Sequence, residues 1–238
     1  MKKSLLAAAA LTLAVGFVNE TKADDRAWNW SPLGIGIFAP VQLPFMSSDV
    51  YGIRFGGLLG INQDVYGIDG GVVEICNGDF AGVQASAFNW TTGFSGGLRA
   101  AALANVTSGK TLSIDAAPVN VMFDEGAGLK FGAVNYSVSY IGFEAGALNW
   151  MASESVGCGL AAVNARQSLF TGLDLGALNY TTELVGAQIG GVNFAEKATG
   201  VQIGLINAVN EMRGVQIGFI NLICEGPLPM MVIANASF

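Results

Sequence analysis

The sequence predicts an all-β fold, namely a transmembrane antiparallel up-and-down β-barrel of about 14 strands. Three observations support this prediction. The chain repeats itself every 14 or 15 residues, it carries few charges for its length, and apolar residues alternate with small or polar ones inside each repeat. A fixed short period means that one structural unit is copied many times, so most residues are expected to serve the scaffold.

An Asn marks the repeat. The cleanest units read G-V-Q-I-G-L-I-N (Gly200 to Asn207) and G-V-Q-I-G-F-I-N (Gly214 to Asn221). An Asn at a strand end can bond the backbone and tolerates a left-handed conformation, so a structural role in turns is predicted. An exposed Asn ladder that binds a surface or a glycan is the alternative. The marker residues are Asn89, Asn105, Asn120, Asn135, Asn149, Asn164, Asn179, Asn193, Asn207 and Asn221.

The N-terminus has the pattern of a secretory signal peptide. Lys2 and Lys3 precede an apolar run from Leu5 to Val18, and Thr21-Lys22-Ala23 then offers small residues for cleavage before Asp24. The run is too short for the roughly 20 residues of a membrane-spanning helix. We therefore expect residues 1–23 to be removed near Ala23 and residues 24–238 to form a single repeat domain.

The composition suggests membrane β-structure. Charged residues make up 12% of the chain, mean hydropathy is +0.49 and 33 residues are Gly, whereas soluble domains contain about 25% charged residues. The formal net charge of −7 and the lack of a basic patch argue against a nucleic-acid partner. His is absent, and no nucleophile or dinucleotide motif is present, so neither an enzyme nor a cofactor or metal site is predicted.

Each repeat offers about ten β-compatible residues, the length of a tilted transmembrane strand. Charged turn-like residues follow, and an even strand count fits a bacterial outer-membrane barrel. The one extra residue before Asn105 predicts a β-bulge. The alternative fold is a β-solenoid, in which each repeat is one coil and identical residues stack into ladders.

Five residues before the marker position, most repeats carry a polar side chain. In a barrel this face lines the lumen and the apolar face meets lipid, so a passive pore is predicted. A collapsed interior whose charges pair with one another is the alternative. One feature does not fit, because the apolar residue before each Asn falls on the polar face unless the glycines kink the strand. The predicted lumen-lining residues are Arg54, Asp69, Gln84, Arg99, Asp115, Lys130, Glu144, Asp174, Gln188, Gln202 and Gln216.

Aromatic residues cluster at the predicted strand ends, as in the two interfacial girdles of a barrel. Those after the Asn are Trp90, Tyr136, Trp150, Tyr180 and Phe194, and those before strands include Tyr51, Tyr66, Phe80, Tyr140 and Phe170.

The C-terminal segment from Met230 alternates apolar residues and ends on Phe238. It resembles the terminal strand of bacterial outer-membrane β-barrel proteins, and the resemblance implies recognition of Phe238 by the barrel-assembly machinery. The repeats from about Gly128 to Asn221 resemble bacterial surface-repeat proteins built on G-[VL]-Q-[IV]-G-x-x-N units. That resemblance implies a cell-envelope β-protein and assigns no activity.

The three cysteines, Cys76, Cys158 and Cys224, form no C-x-x-C pair. A Cys76–Cys224 disulfide is conceivable, but free cysteines that act as small hydrophobic residues are favoured.

The function predicted from the sequence is an outer-membrane barrel, either structural or porin-like. Its expected partners are outer-membrane lipid and small solutes. The alternative is a secreted or surface-attached β-solenoid with a binding or adhesion role.

Overall fold

The computed structural model describes residues 30–238 apart from residue 40, so the predicted signal peptide lies outside the described residues. These residues form one continuous sheet. No helix among them is long and apolar enough to cross a membrane. The strands are β1 (Trp30–Phe38), β2 (Val41–Leu43), β3 (Asp49–Asn62), β4 (Val65–Cys76), β5 (Phe80–Thr91), β6 (Ser95–Thr107), β7 (Thr111–Ala116), β8 (Val119–Phe131), β9 (Val134–Met151), β10 (Ser155–Ile223) and β11 (Met230–Ser237).

Successive repeats pair in parallel and in register. Gly52 pairs with Gly67 and Gly67 with Gly82, so equivalent residues of neighbouring repeats lie side by side. The same parallel pairing joins β3 through β10. The chain is therefore a β-solenoid, and the predicted antiparallel up-and-down barrel is wrong. Parallel neighbours need a return connection, and the second half of each repeat supplies it.

Each coil has two arms that face each other across a narrow interior. Gln216 Nε2 on the first arm donates a hydrogen bond to the carbonyl oxygen of Leu222 on the second arm, at 3.1 Å. The chain bends between them, at a Gly such as Gly218, and bends again after the second arm. The 69 residues of β10 are strand throughout, yet they wind through several coils because both bends keep the sheet hydrogen bonding.

The first arm contains a Gly with positive φ in nearly every coil. These glycines stack directly on one another, and a Cβ on Gly200 would lie 1.9 Å from the carbonyl oxygen of Gly186. Only Gly, which has no Cβ, readily adopts this backbone conformation and allows the two backbones to come so close. Ser113 takes this place in one coil and is not among the positive-φ residues. The stacked glycines are Gly52, Gly67, Gly82, Gly97, Gly128, Gly142, Gly157, Gly172, Gly186, Gly200 and Gly214, with φ between 108° and 152°.

Strands at both ends cover the last coils. At the N-terminal end β1 pairs in parallel with β3, and β2 pairs antiparallel with β1. At the C-terminal end β11 runs antiparallel along Gly214–Leu222. Terminal caps of this kind protect the open edges of a solenoid. Phe238 follows β11 and is 98% exposed.

The predicted β-bulge is confirmed as a shift of register between β5 and β6, where Ser86 pairs with Ala101 but Phe88 pairs with Ala104. The favoured prediction of free cysteines is also confirmed, because Cys76, Cys158 and Cys224 are all unpaired.

Candidate functional site

The residues predicted to line a lumen lie in the closed interior of the solenoid. None of them is more than 3% exposed. Their side chains bond to one another instead of to a water-filled channel, which corrects the pore prediction and agrees with the collapsed alternative. This interior row is Arg54, Asp69, Gln84, Arg99, Asp115, Lys130, Glu144, Asp174, Gln188, Gln202 and Gln216.

Charges in the row alternate so that neighbouring coils neutralise each other. Arg54 donates two hydrogen bonds of 2.6 Å to Asp69, and Arg99 donates to both carboxylate oxygens of Asp115 at 2.8 and 2.7 Å. Unpaired charges in such an interior would be costly, whereas bidentate pairs satisfy both partners.

Gly159 interrupts this row, and a side chain from the opposite arm fills the gap. Arg166 lies 3.0 Å from Glu144 and 2.9 Å from Asp174, and so bridges the carboxylates on either side of the missing residue. A Cβ on Gly159 would lie 2.3 Å from Arg166 Nη2. The exception in the repeat is therefore part of the charge pairing.

Past Asp174 the row becomes neutral. Gln216 Nε2 donates to Gln202 Oε1 at 2.8 Å, Gln202 donates to Gln188 at 2.9 Å, and Gln188 donates to the Thr181 hydroxyl at 2.9 Å. Because an amide both donates and accepts, identical residues can continue such a ladder without any charge.

One carboxylate in the interior has no cation of its own. Glu74 replaces the marker Asn in its coil and lies 2.7 Å from Arg54, which is already paired with Asp69. Burial raises the pKa of the Glu74 carboxyl to about 8, and Arg54 only partly opposes the shift.

This pKa makes stability depend on pH. Between pH 4.5 and about 8 the folded protein holds a proton on Glu74 that the unfolded chain loses, so the free energy of unfolding falls as pH rises through this window. We expect Glu74→Gln to remove this decline, measured as the urea midpoint at pH 5 and pH 9. Glu211→Gln, on the exposed surface, is the control that keeps it. Parallel pH profiles for wild type and Glu74→Gln would contradict the assignment.

The marker Asn residues form a second interior ladder. Each Nδ2 donates to Oδ1 of the Asn in the next coil, over 2.7–3.1 Å from Asn89 to Asn221. Their second N–H typically reaches a carbonyl beside the bend, as when Asn193 donates to Ile203 at 2.9 Å. None is more than 1% exposed, so a surface-binding Asn ladder is ruled out for these residues.

The outward surfaces of both arms are apolar. Face 1 is defined as the outward row that follows the stacked glycines, and face 2 as the outward row that follows the marker Asn residues. Face 1 consists of Ile53, Ile68, Val83, Leu98, Ile114, Leu129, Phe143, Cys158, Leu173, Ala187, Val201 and Val215. Face 2 consists of Trp90, Val106, Val121, Tyr136, Trp150, Ala165, Tyr180, Phe194, Ala208 and Leu222.

The aromatic residues do not form two girdles. Those after the marker Asn all belong to face 2, and Tyr180 stacks on Phe194 with ring centroids 5.5 Å apart. Phe80, Tyr140 and Phe170 are at most 2% exposed and lie in the interior. The girdle prediction is therefore wrong, because aromatic residues at equivalent repeat positions stack in one row.

The two edges of the solenoid differ sharply. Among the described residues, every charged side chain that is not buried lies at the bend after the second arm, which we call the charged edge. It contains ten acidic and three basic residues: Asp49, Asp64, Asp79, Lys110, Asp124, Glu125, Glu154, Glu183, Glu196, Lys197, Glu211, Arg213 and Glu225. Cross-coil pairs occur there, such as Lys197 with Glu211 at 3.1 Å.

The opposite bend, between the two arms, has no charged residue and is called the apolar edge. Its outermost residues include Leu58, Val72, Leu103, Leu205 and Phe219, which are 44–71% exposed. Alanine occupies the same bend in several coils, as at Ala147, Ala162 and Ala177. The apolar surface is thus continuous from face 1 around this edge to face 2.

Comparisons with protein-family models, with curated proteins and with solved structures give no match to this chain. The sequence identified which residues point inward and outward, but it did not locate the apolar edge, because that bend has no charged residue and, among the described residues, carries Pro in one coil alone, at Pro118.

Proposed function

We propose that this protein is a secreted or surface-attached β-solenoid that works without catalysis, as a scaffold that binds an apolar partner. The observation that carries the proposal is the extent of the exposed apolar surface. The interior holds the polar rows together with buried apolar clusters such as Phe170, Leu184 and Ile223, whereas Val, Ile, Leu and aromatic residues form both outer faces. Exposed apolar areas of this extent mark protein or membrane contact sites.

The chain itself covers a small part of face 2. Near the N-terminal end, Ala39, Ile61 and Ile75 form a buried cluster against which Met46 and Trp90 pack. Met46 belongs to the longer connection between β2 and β3. This end of the solenoid gains a cover of its own, which supports the view that the remaining coils need an apolar partner.

Adhesion through polar ladders receives less support. The Asn, Gln and charged rows are buried and bonded within the solenoid, so a glycan or polar surface would meet only the charged edge. The apolar faces are therefore the better candidates for binding.

The test is self-association as detergent is removed. A variant with Ile114→Thr and Leu129→Thr on face 1 and Tyr136→Thr and Trp150→Thr on face 2 changes two solvent-accessible residues of each face while keeping a β-compatible side chain. We expect its association to begin at a protein concentration about tenfold higher than for wild type. Burial of the four wild-type side chains stabilises the associated state by at least about 1.4 kcal/mol, which corresponds to a factor of ten in the dissociation constant. Sedimentation velocity measures the onset.

The matched control changes four exposed residues of the charged edge, with Glu154→Thr, Glu183→Thr, Glu196→Thr and Asn210→Thr. Its association should resemble that of wild type, and far-UV circular dichroism should show β-structure in both variants. If wild type stays monomeric without detergent, or if both variants behave alike, the apolar faces are not the binding surface.

A further inference from the structure

We infer that the apolar partner is the acyl-chain region of a zwitterionic phospholipid membrane, and that the solenoid sits edge-on in it, entering from one leaflet. The apolar edge points into the hydrocarbon and the charged edge remains in water. The solenoid axis then lies parallel to the membrane surface. This inference rests on the proposed function and specifies its partner.

The shape of the apolar surface favours lipid over a protein partner. Face 1, the apolar edge and face 2 form one surface that wraps three sides of the body, with exposed residues on each, such as Ile53, Leu205 and Trp150. A second copy or another folded protein that docks on one sheet would leave the other sheet in water. Fluid acyl chains can surround all three sides together.

The charges fix the orientation. All described charged residues that reach solvent lie on the charged edge, and charged groups are costly in the hydrocarbon region. No such residue interrupts either face between the two edges. The only orientation that keeps every exposed charge in water is therefore with the charged edge at the membrane surface.

The depth of the apolar surface exceeds one leaflet by about 5 Å but is smaller than the whole hydrocarbon core. From Thr199, next to the charged edge, to Leu205 at the apolar edge the chain runs six residues, which is about 20 Å at about 3.3 Å per residue. The hydrocarbon core is about 30 Å thick, so one leaflet contributes about 15 Å. The arms therefore reach past the bilayer midplane, and the apolar edge ends within the hydrocarbon of the opposite leaflet.

The excess of carboxylates on the charged edge indicates the headgroup class. The charged edge contains ten acidic residues and three basic ones, so its net charge is negative. Like charges repel at the membrane surface. Anionic headgroups would oppose this edge, whereas zwitterionic headgroups add no net repulsion.

The backbone also suits a lipid environment. Edges of a sheet cannot lie in hydrocarbon with unpaired N–H and C=O groups. In the solenoid the coils pair with one another through both arms, and the end strand β11 pairs with the last coil along Gly214–Leu222. Between the two ends of the solenoid, the surface offered to lipid is therefore made of side chains on a hydrogen-bonded sheet. The outer sides of β11 and β2, the first and last strands in the order of the sheet, have no neighbouring strand among the described residues.

Cysteine labelling tests the orientation. Leu205→Cys at the apolar edge and Glu211→Cys at the charged edge lie in the same coil and are both exposed. The full chain is bound to phosphatidylcholine vesicles, recovered by flotation and treated with a water-soluble maleimide. Peptide mass spectrometry distinguishes the new cysteine from Cys76, Cys158 and Cys224.

We expect Leu205→Cys to react at least about tenfold more slowly than Glu211→Cys, because hydrocarbon excludes the reagent. The native Cys224, exposed next to Glu225, should react like Glu211→Cys and serves as an internal reference.

Two results would overturn the inference. Floated protein in which both positions react equally would refute edge-on seating. Protein that does not float, but whose self-association still depends on the apolar faces, would refute the lipid partner and leave the proposed function intact with a second copy as partner. Loss of that dependence in the sedimentation experiment refutes the proposed function itself, so the two failures are distinguishable.

Discussion

Replacing one Asn of the interior ladder by Asp should destabilise the protein by at least about 3 kcal/mol, because it places an unpaired charge in a closed interior. Asn193 is suitable, since its amide donates to Asn207 at 2.7 Å and to the carbonyl of Ile203 at 2.9 Å. Asn193→Asp removes both donors and sets a carboxylate against the Asn207 side-chain oxygen.

The measurement is the free energy of unfolding from urea titration near neutral pH, with the protein kept in detergent. Asn210→Asp makes the same chemical change at an exposed residue of the charged edge and should shift stability by no more than about 0.5 kcal/mol. Equal effects of the two substitutions would show that the ladder does not stabilise the interior.

A single added methyl group on a stacked glycine should have a comparable effect. Gly200 has φ of 139°, and its Cβ would lie 1.9 Å from the carbonyl oxygen of Gly186. Both the conformation and the contact with a neighbouring backbone oppose Ala. We expect Gly200→Ala to cost at least about 3 kcal/mol, since the coil spacing must widen or the arm must change its conformation.

The control is Gly70→Ala in another coil. There the nearest atom to the added Cβ is the carbonyl oxygen of Ala85 at 3.5 Å, an ordinary contact. The register partners of Gly70 are Phe55 and Ala85, both with side chains. This variant should be neutral or more stable by up to about 1 kcal/mol, because Ala restricts the unfolded chain. Similar losses for both variants would mean that glycine is required for another reason.

These two predictions concern the same property of the solenoid. Its stability depends on rows of identical or complementary residues that meet only when every coil stays in register. A defect in one coil therefore affects the neighbours on both sides, as expected for repeat proteins whose coils contact only adjacent ones. The interior rows are buried and the apolar faces point outward, so polar substitutions on these faces should leave the rows intact, and binding and stability can be tested separately.

Much of the molecule could be predicted from the sequence. The marker Asn spacing gave the repeat, and the position of Gln202 or Asp174 identified the row that points inward. The alternation between inward polar and outward apolar residues is the same for a barrel strand and a solenoid arm. For this reason the sequence predicted correctly that the polar row points inward and the apolar row outward. The predicted lumen was wrong, because the interior of the solenoid is closed.

The apolar residue before each marker Asn shows where sequence reasoning stopped. Ile206 and Ile220 lie on the polar face of an uninterrupted strand but are not buried in the structure, because the chain bends at Gly204 and Gly218 just before them. The glycines do kink the strand, so each repeat has two arms where the spacing predicts one strand.

The sequence by itself determined the period, the inward and outward sides of the chain and the concentration of charge at one bend, because these are local properties of each repeat. Only the tertiary structure decided that equivalent residues pair in parallel, that Arg166 fills the gap at Gly159 and that one edge stays wholly apolar. Those features depend on which coil lies next to which and on a bend that no charged residue marks. The same local pattern is compatible with either strand direction until the coils pack.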